Sequence, residues 1–294
     1  MVTTALQNYH ARMHRVLDHI DRYLDDDLSL AALSDVAAFS KYHFHRQFSA
    51  SFGLSVHRYV QLARLKRASY RLVYRDAESV TDIALDAGYE APDAFARAFR
   101  QRFGQSPSAF RKSPRWEAWL GAFGPFDQAR SRYMTKTYSK TDVTIRDVSE
   151  TPVAIMEHRG DPAGIGTTIK RFIAWRRETG LTPEVSPTFN IFHSDPATTP
   201  PDEYHIDLCA GTERPIDPDD ERIQAGAIPG GRRAVLRVEG DTDNLEAAAL
   251  FLYRDWLPVS GEEAMDFPLY CQRLRFYPEV PAHEAVAELF LPLR

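Results

Sequence analysis

Apolar positions recur with a helical period in the first half of the chain, and the pattern occurs twice. Phe44, Phe48 and Phe52 stand four residues apart, and Phe95, Phe99 and Phe103 repeat the spacing. Stripes at i, i+4 and i+8 predict two helices, each with one aromatic face in a core. Gly53 and Gly104 follow the stripes directly and predict the helix ends. Upstream, Ser29-Leu30, Leu33 and Ala37-Ala38-Phe39 return as Ser79-Val80, Ile83 and Ala87-Gly88-Tyr89. Ser29 and Ser79 are placed to accept the free N–H groups of a helix start, and Ala38 and Gly88 mark tight turns. Each copy reads as a short helix, a turn and a second helix, the second helices spanning Ser40–Ser51 and Pro92–Arg102. Val56–Tyr74, between the copies, has neither proline nor glycine and predicts a helix about 28 Å long. Two short helices about a small-residue turn form a helix-turn-helix, whose second helix enters the DNA major groove. A plain helical bundle is the competing reading, weakened by two copies in register.

After about Ser139 the texture changes to β-branched and aromatic runs, and a second duplication appears at an offset near 81 residues. Val153–Asp161 answers Ala234–Asp241, and helices are expected over Gly164–Thr179 and Asn244–Leu257. Strands follow near Thr188–Ser194 and Tyr204–Ala210, then near Leu269–Tyr277 and Ala285–Pro292. Each copy is strand–helix–strand–strand, which predicts an α+β domain with a pseudo-twofold axis. Strand alternation puts Ile206, Leu208, Ala210, Ala287, Leu289 and Leu291 on the helices. The opposite face carries His205, Asp207 and Cys209, with Val286, Glu288 and Phe290. Two such sheets facing one another would enclose a cleft, near which Phe192, Tyr204, Tyr253 and Tyr270 fall in sequence.

Composition sharpens this picture. A chain of 294 residues suits two domains, and 44% hydrophobic with 26% charged residues excludes disordered and collagenous classes. No run of eighteen apolar residues marks a membrane span, and the start lacks the order of a secretory signal. Cys209 and Cys271 have no C-x-x-C partner and read as reduced core residues of a cytoplasmic protein. The net charge of −5 is a sum of opposites: residues 1–138 hold 20 Lys+Arg against 14 Asp+Glu, and residues 139–294 hold 16 against 27. Within 40–113 the count is 13 against 6. Such asymmetry marks a nucleic-acid-binding part joined to something else. His10, His14 and His19 find no companions for a metal site, and no phosphate loop, G-x-S-x-G or H-E-x-x-H is present. No catalytic residue, metal or cofactor is therefore read from the sequence.

The segments LSLAALSDVAAFSKYHFHRQFSASFGLSVHRYV, RLKRASYRLV and SVTDIALDAGYEAPDAFARAFRQRFGQSPSAFRK resemble the DNA-binding domain of the AraC/XylS family over Asp27–Lys112. The second half resembles the GyrI-like effector-binding domain. The likeness rests on its two strand–Gly-Asp–helix units, Trp256-Leu257-Pro258-x-Ser-Gly, and Ala287-Glu288-Leu289-Phe290-Leu291-Pro292. The expected layout is an AraC-type domain over 1–120, a linker over 121–140 around Gly124-Pro125, and a GyrI-like domain over 141–294.

The phenylalanine stripe leaves Lys41, Tyr42, His45, Arg46 and Ser49 facing outward, and arginine suits guanine O6/N7. The resemblance places base-reading positions at Tyr42, His45 and Arg46. The second helix exposes Asp93, Arg97 and Arg100; its acidic residue departs from the family's usual uncharged polar side chains. Phosphate contacts are expected from Ser40, Arg64, Lys66, Arg67, Arg100, Arg102, Arg111 and Lys112.

For the second half, the resemblance implies a small-molecule effector. In relatives that take a lipophilic cation, an acidic residue among aromatics supplies the counter-charge, and Glu288 matches it. Phe192, Tyr204, Tyr253 and Tyr270 complete the expected effector set. An ion pair of Glu288 with Arg237 or Arg273 is the structural alternative. The function expected is a sequence-specific transcriptional regulator, not an enzyme, with double-stranded DNA, an effector and RNA polymerase as partners and no membrane contact. A hydrolase-like enzyme or a protein-binding module in the second half is the rival reading.

Overall fold

Backbone capping follows the sequence closely in the first half. The computed structural model describes residues 2–134, 137–240, 245–276, 280 and 282–294, and it divides into two units, Met1–Thr135 and Lys136–Arg294. The first unit is all helical: α1 (Val2–Arg22), α2 (Leu30–Ala37), α3 (Lys41–Phe52), α4 (Val56–Tyr74), α5 (Val80–Asp86), α6 (Pro92–Phe103), α7 (Pro107–Lys112) and α8 (Trp116–Met134). The hydroxyl of Ser29 accepts the Ala32 N–H at 3.3 Å, and that of Ser79 accepts the Asp82 N–H at 3.0 Å. Ala38 and Gly88 both take positive φ, +52° and +80°. The six stripe phenylalanines are buried, and Gly53 and Gly104 close α3 and α6 in the left-handed conformation.

The expected linker is a correction. Residues from Gly121 onward continue α8 as far as Met134, within the first unit. Trp116, Trp119, Phe123 and Phe126 are buried at spacings of three and four, a helical stripe that outweighs the turn signal of Gly124-Pro125. Trp119 donates its indole N–H to Ser69 Oγ at 2.7 Å. Arg130 grips Asp21 through two 2.7 Å bonds and donates to the Tyr59 hydroxyl, so α8 is fastened to α1 and α4.

The second unit holds β1 (Val143–Val148), β2 (Thr151–Arg159), α9 (Ile165–Thr179), β3 (Thr188–Phe192), β4 (His205–Gly211), β5 (Gln224–Ile228) and β6 (Gly231–Glu239). Then come α10 (Glu246–Leu250), a π-helical turn (Phe251–Trp256), α11 (Leu257–Ser260), β7 (Tyr270–Arg275) and β8 (Val286–Pro292). The expected helix start Asn244 and strand end Tyr277 lie outside the described residues. All eight strands form one antiparallel sheet in the order β1-β6-β8-β7-β3-β4-β2-β5. The two copies therefore join edge to edge through β3 and β7, rather than as two facing sheets. Each copy also gains an edge strand, β5 or β1, that the duplication did not reveal.

Chain reach then dictates the shape. β1 and β2 stand first and seventh in the sheet, about 29 Å apart if it were flat at ~4.8 Å per strand. Only Ser149 and Glu150 connect them, spanning at most about 11 Å at ~3.8 Å per Cα step. Pro229 and Gly230 impose the same limit on β5 and β6. The sheet must curl until the two connections meet, and a Cβ on Gly230 would lie 2.9 Å from the Glu150 nitrogen.

On the helix side, Ala154, Met156, Leu208 and Ala210 pack under Phe172 and Trp175, and Ala234, Leu236, Ala287, Leu289 and Leu291 under Leu252 and Trp256. On the other face, one cluster joins Val153, Phe189, Cys209 and Ile228 of the first copy to Val235, Tyr270 and Phe290 of the second. Cys209 and Cys271 are both buried and free, on opposite faces of the sheet. Arg176 is buried at the end of α9, where it donates to Leu181 O, Ser186 O and Thr188 Oγ1; desolvation pushes its pKa down to about 10.

Ala38 is the one non-glycine with positive φ among the described residues. A left-handed L-residue costs roughly 1–2 kcal/mol, and glycine gives back about 0.4–1 through the unfolded chain. Ala38→Gly should therefore raise stability by up to about 1 kcal/mol. Gly88→Ala should lower it by more than about 1 kcal/mol, since its Cβ would meet Arg64 Nη1 at 2.7 Å. Urea denaturation midpoints check both.

Candidate DNA-reading surface and ligand face

In α3, the buried stripe leaves Lys41, Tyr42, His45 and Arg46 exposed and Ser49 half-buried. Ser40 spends its hydroxyl on the cap of α3, accepting the His43 N–H at 3.4 Å. Arg46 donates to the Tyr42 hydroxyl at 2.6 Å and lies 5.5 Å over its ring, so the pair stands as one unit on the helix surface. In α6, Asp93, Arg97 and Arg100 are exposed. Arg102 is not free for DNA, because its guanidinium donates to the Ala122 carbonyl on α8. Ser51, at the equivalent place on α3, likewise faces inward and pairs with the Tyr9 hydroxyl of α1.

The basic residues of α4 also turn out to be internal. Arg64 donates to Leu24 O at 2.9 Å and Asp26 O at 3.2 Å; Arg67 pairs with Asp25 and donates to Asp86 O. Lys66 pairs with Asp127 at 2.7 Å, and Arg111 donates to Leu72 O. The Asp25 carboxyl is held below its ordinary range by its hydrogen bonds to Arg67. Their partners lie 19 to 61 residues away in the chain, so local spacing leaves these cations looking available to phosphate.

On the concave face of the second unit, Tyr270 and Phe290 stack 4.8 Å apart and within 3° of parallel. Glu288 stands beside them, 17% exposed, with its carboxylate 2.6 Å from Arg146 Nη2. The Arg146 guanidinium lies 5.6 Å over the Phe290 ring. Arg146 belongs to the unforeseen strand β1, which is why the sequence pointed to Arg237 or Arg273 instead. Those two pair with Glu239 and with Asn190 Oδ1. Burial pushes the Tyr270 hydroxyl up, and Arg233 and Arg146 partly offset it.

Of the expected effector residues, the structure brings Tyr270 and Glu288 together. Phe192 packs on the helix-side core, one alternation away from the concave face. Tyr204 lies edge-on to His158, 6.1 Å between centroids, and Tyr253 is exposed on the outer π-helical turn. Phe189, Val235 and Phe290 take their places as concave-face apolar residues.

Residues 141–294 match the family model of the GyrI-like small molecule binding domain. The chain belongs to this GyrI-like family. Residues 33–113 match a helix-turn-helix domain model, so a DNA-binding architecture precedes the GyrI-like domain. The probable transcriptional regulator YgiV of Escherichia coli K12 is 34% identical over 153 residues, which is 52% of this chain and 96% of YgiV. The uncharacterized HTH-type transcriptional regulator YbfP of Bacillus subtilis 168 is 35% identical over 103 residues, 35% of either chain. A cryo-EM structure of EcmrR with DNA aligns over 89% of this chain and 84% of its own, at 14% identity and a TM-score of 0.44. No helix among the described residues is long and apolar enough to cross a membrane.

Truncating Arg64 to Met would strip donors from two carbonyls in the α1–α2 connection. Hydrogen bonds from a charged group contribute about 1.5–3 kcal/mol each, so a loss of at least ~1.5 kcal/mol is expected in urea denaturation.

Proposed function

We propose that this chain is a sequence-specific transcriptional regulator whose GyrI-like domain takes a lipophilic cationic effector. The observation that carries the reading is the register of Arg46 and Arg97: both are exposed on the second helices of two equivalent units. α4, 19 residues and about 28 Å long, lies between those units in the chain. The scale suits two recognition helices one DNA turn apart, about 34 Å. Arg46 and Arg97 read base edges, with Tyr42 and His45 beside the first. Lys41, Arg100 and Lys112 contact phosphates.

The effector end rests on the stacked Tyr270 and Phe290 with the Glu288 carboxylate at their edge. Arg146 behaves as a resident cation there, paired with Glu288 and laid over the ring. Its side chain is 44% exposed, so an incoming lipophilic cation can displace it into water and take both interactions. Such a ligand shifts the regulator only by its differential affinity for two states of the chain. RNA polymerase is the partner through which that shift reaches transcription, and the cytoplasm is where both meet DNA. The role proposed is binding rather than catalysis, in keeping with the match to a small molecule binding domain.

Arg46→Ala and Arg97→Ala should each weaken operator binding by about 1–3 kcal/mol and relax preference at one base position. Footprints and competition binding at fixed salt read this, and unchanged base preference would overturn the assignment. Glu288→Gln should weaken calorimetric binding of tetraphenylphosphonium at least tenfold while operator binding stays unchanged. An identical titration curve would remove Glu288 from the effector site.

A further inference from the structure

The carboxylate equivalent to Glu288 in the first copy is Asp207, 81 residues earlier and two β4 residues before the concave Cys209. It is more deeply buried than Glu288, with a side chain 7% exposed. Where Glu288 has Arg146, Asp207 has two histidines. Its Oδ2 lies 2.7 Å from His193 Nε2, and its Oδ1 lies 2.9 Å from His205 Nε2. The fold explains the convergence. β3 and β4 pair antiparallel with Ile191 opposite Asp207, and extending that register sets His193 opposite His205. Strand alternation carries all three side chains to the concave face. The two imidazoles lie parallel, 4.0 Å between centroids and 4° between planes. Among the described residues, this is the one group of three His, Cys, Asp or Glu side chains whose ligand atoms all lie within 4.8 Å of one another.

A buried carboxylate calls for a positive partner. The nearby Arg159 is already engaged by Glu157 at 2.9 Å. Two imidazole nitrogens and one carboxylate oxygen form a donor set suited to first-row transition metals, whereas calcium and magnesium favour oxygen alone. Bonds of ~2.0–2.1 Å in tetrahedral geometry separate ligand atoms by roughly 3.3 Å. To admit an ion, the carboxylate and the imidazoles must part slightly from their 2.7 and 2.9 Å contacts, and the two parallel rings must tilt so that both Nε2 atoms point to one centre.

We propose that His193, His205 and Asp207 bind one divalent first-row transition metal ion, with zinc as the reference ion. Glu157, whose Oε1 lies 3.8 Å from His205 Nε2, or water fills a further coordination position. The site belongs to the first copy and does not depend on a cation binding at Glu288 in the second.

The test uses the untagged full chain, stripped with chelator and dialysed against limiting zinc, with bound metal counted by atomic emission. One equivalent is expected to remain bound. His193→Ala, His205→Ala and Asp207→Asn should each weaken zinc binding at least tenfold, and His10→Ala should leave it unchanged. His193 is the most exposed of the three, so its removal probes the site with little risk to folding. Cobalt in place of zinc should give a visible absorption band without sulfur charge transfer, lost in His193→Ala. Retention by the parent chain no greater than by the His193/His205 double alanine variant would overturn the proposal. So would a cobalt spectrum indifferent to His193.

Discussion

The second unit depends on how far two residues can reach. Ser149-Glu150 and Pro229-Gly230 each join strands that lie six places apart in the sheet, and no flat sheet permits that. Curling brings the two connections into contact at Gly230, where a side chain would collide with the Glu150 backbone. Arg233 is fully buried at the same corner and donates to the carbonyls of Pro229 and Gly230. From this closure the rest follows. The helices are left outside, and Val153 and Ile228 meet Val235 and Phe290 across the inner face. The acidic positions Glu288 and Asp207 stand two residues before Phe290 and Cys209 of that apolar floor.

In the first unit, a different economy of charge operates. Positive residues on α4 are spent on the protein itself: Arg64 and Arg67 hold the α1–α2 connection, and Arg71 pairs with both Glu78 and Asp86 near α5. Both helix-turn-helix copies are thereby bound to one long helix. What remains exposed on the second helices is a smaller basic set, centred on Arg46 and on Arg97 with Arg100. The positive balance of the first half is thus partly structural, and only its exposed remainder is available to a polyanion.

Local signals were the legible ones. The caps at Ser29 and Ser79, the turns at Ala38 and Gly88, and the phenylalanine stripes all depend on neighbours within one helix turn, so the sequence displays them directly. Strand alternation sorted Leu208, Leu289, Glu288 and Phe290 onto their proper faces for the same reason. Long-range partners were hidden. Arg146 meets Glu288 across 142 positions, Arg64 meets Leu24 across 40, and nothing in the sequence spacing announces either pair. Phe192 and Tyr204 are close in sequence to the concave-face residues, but alternation sends them to the helix side. Gly124-Pro125 is a local break signal, and the four buried aromatics of α8 override it.

The duplication leaves the two faces of the sheet under unequal constraint. Helix-side residues interlock with α9, Leu252 and Trp256, so a change there disturbs packing throughout a copy. Concave-side residues such as Val153, Phe189, Val235, Tyr270 and Phe290 are buried against one another across the two copies. Beside this cluster the copies differ, with an arginine over a phenylalanine in one and a histidine pair on a carboxylate in the other. One repeat thus presents two different sets of charged side chains at equivalent positions 81 residues apart, on strands that keep the same fold.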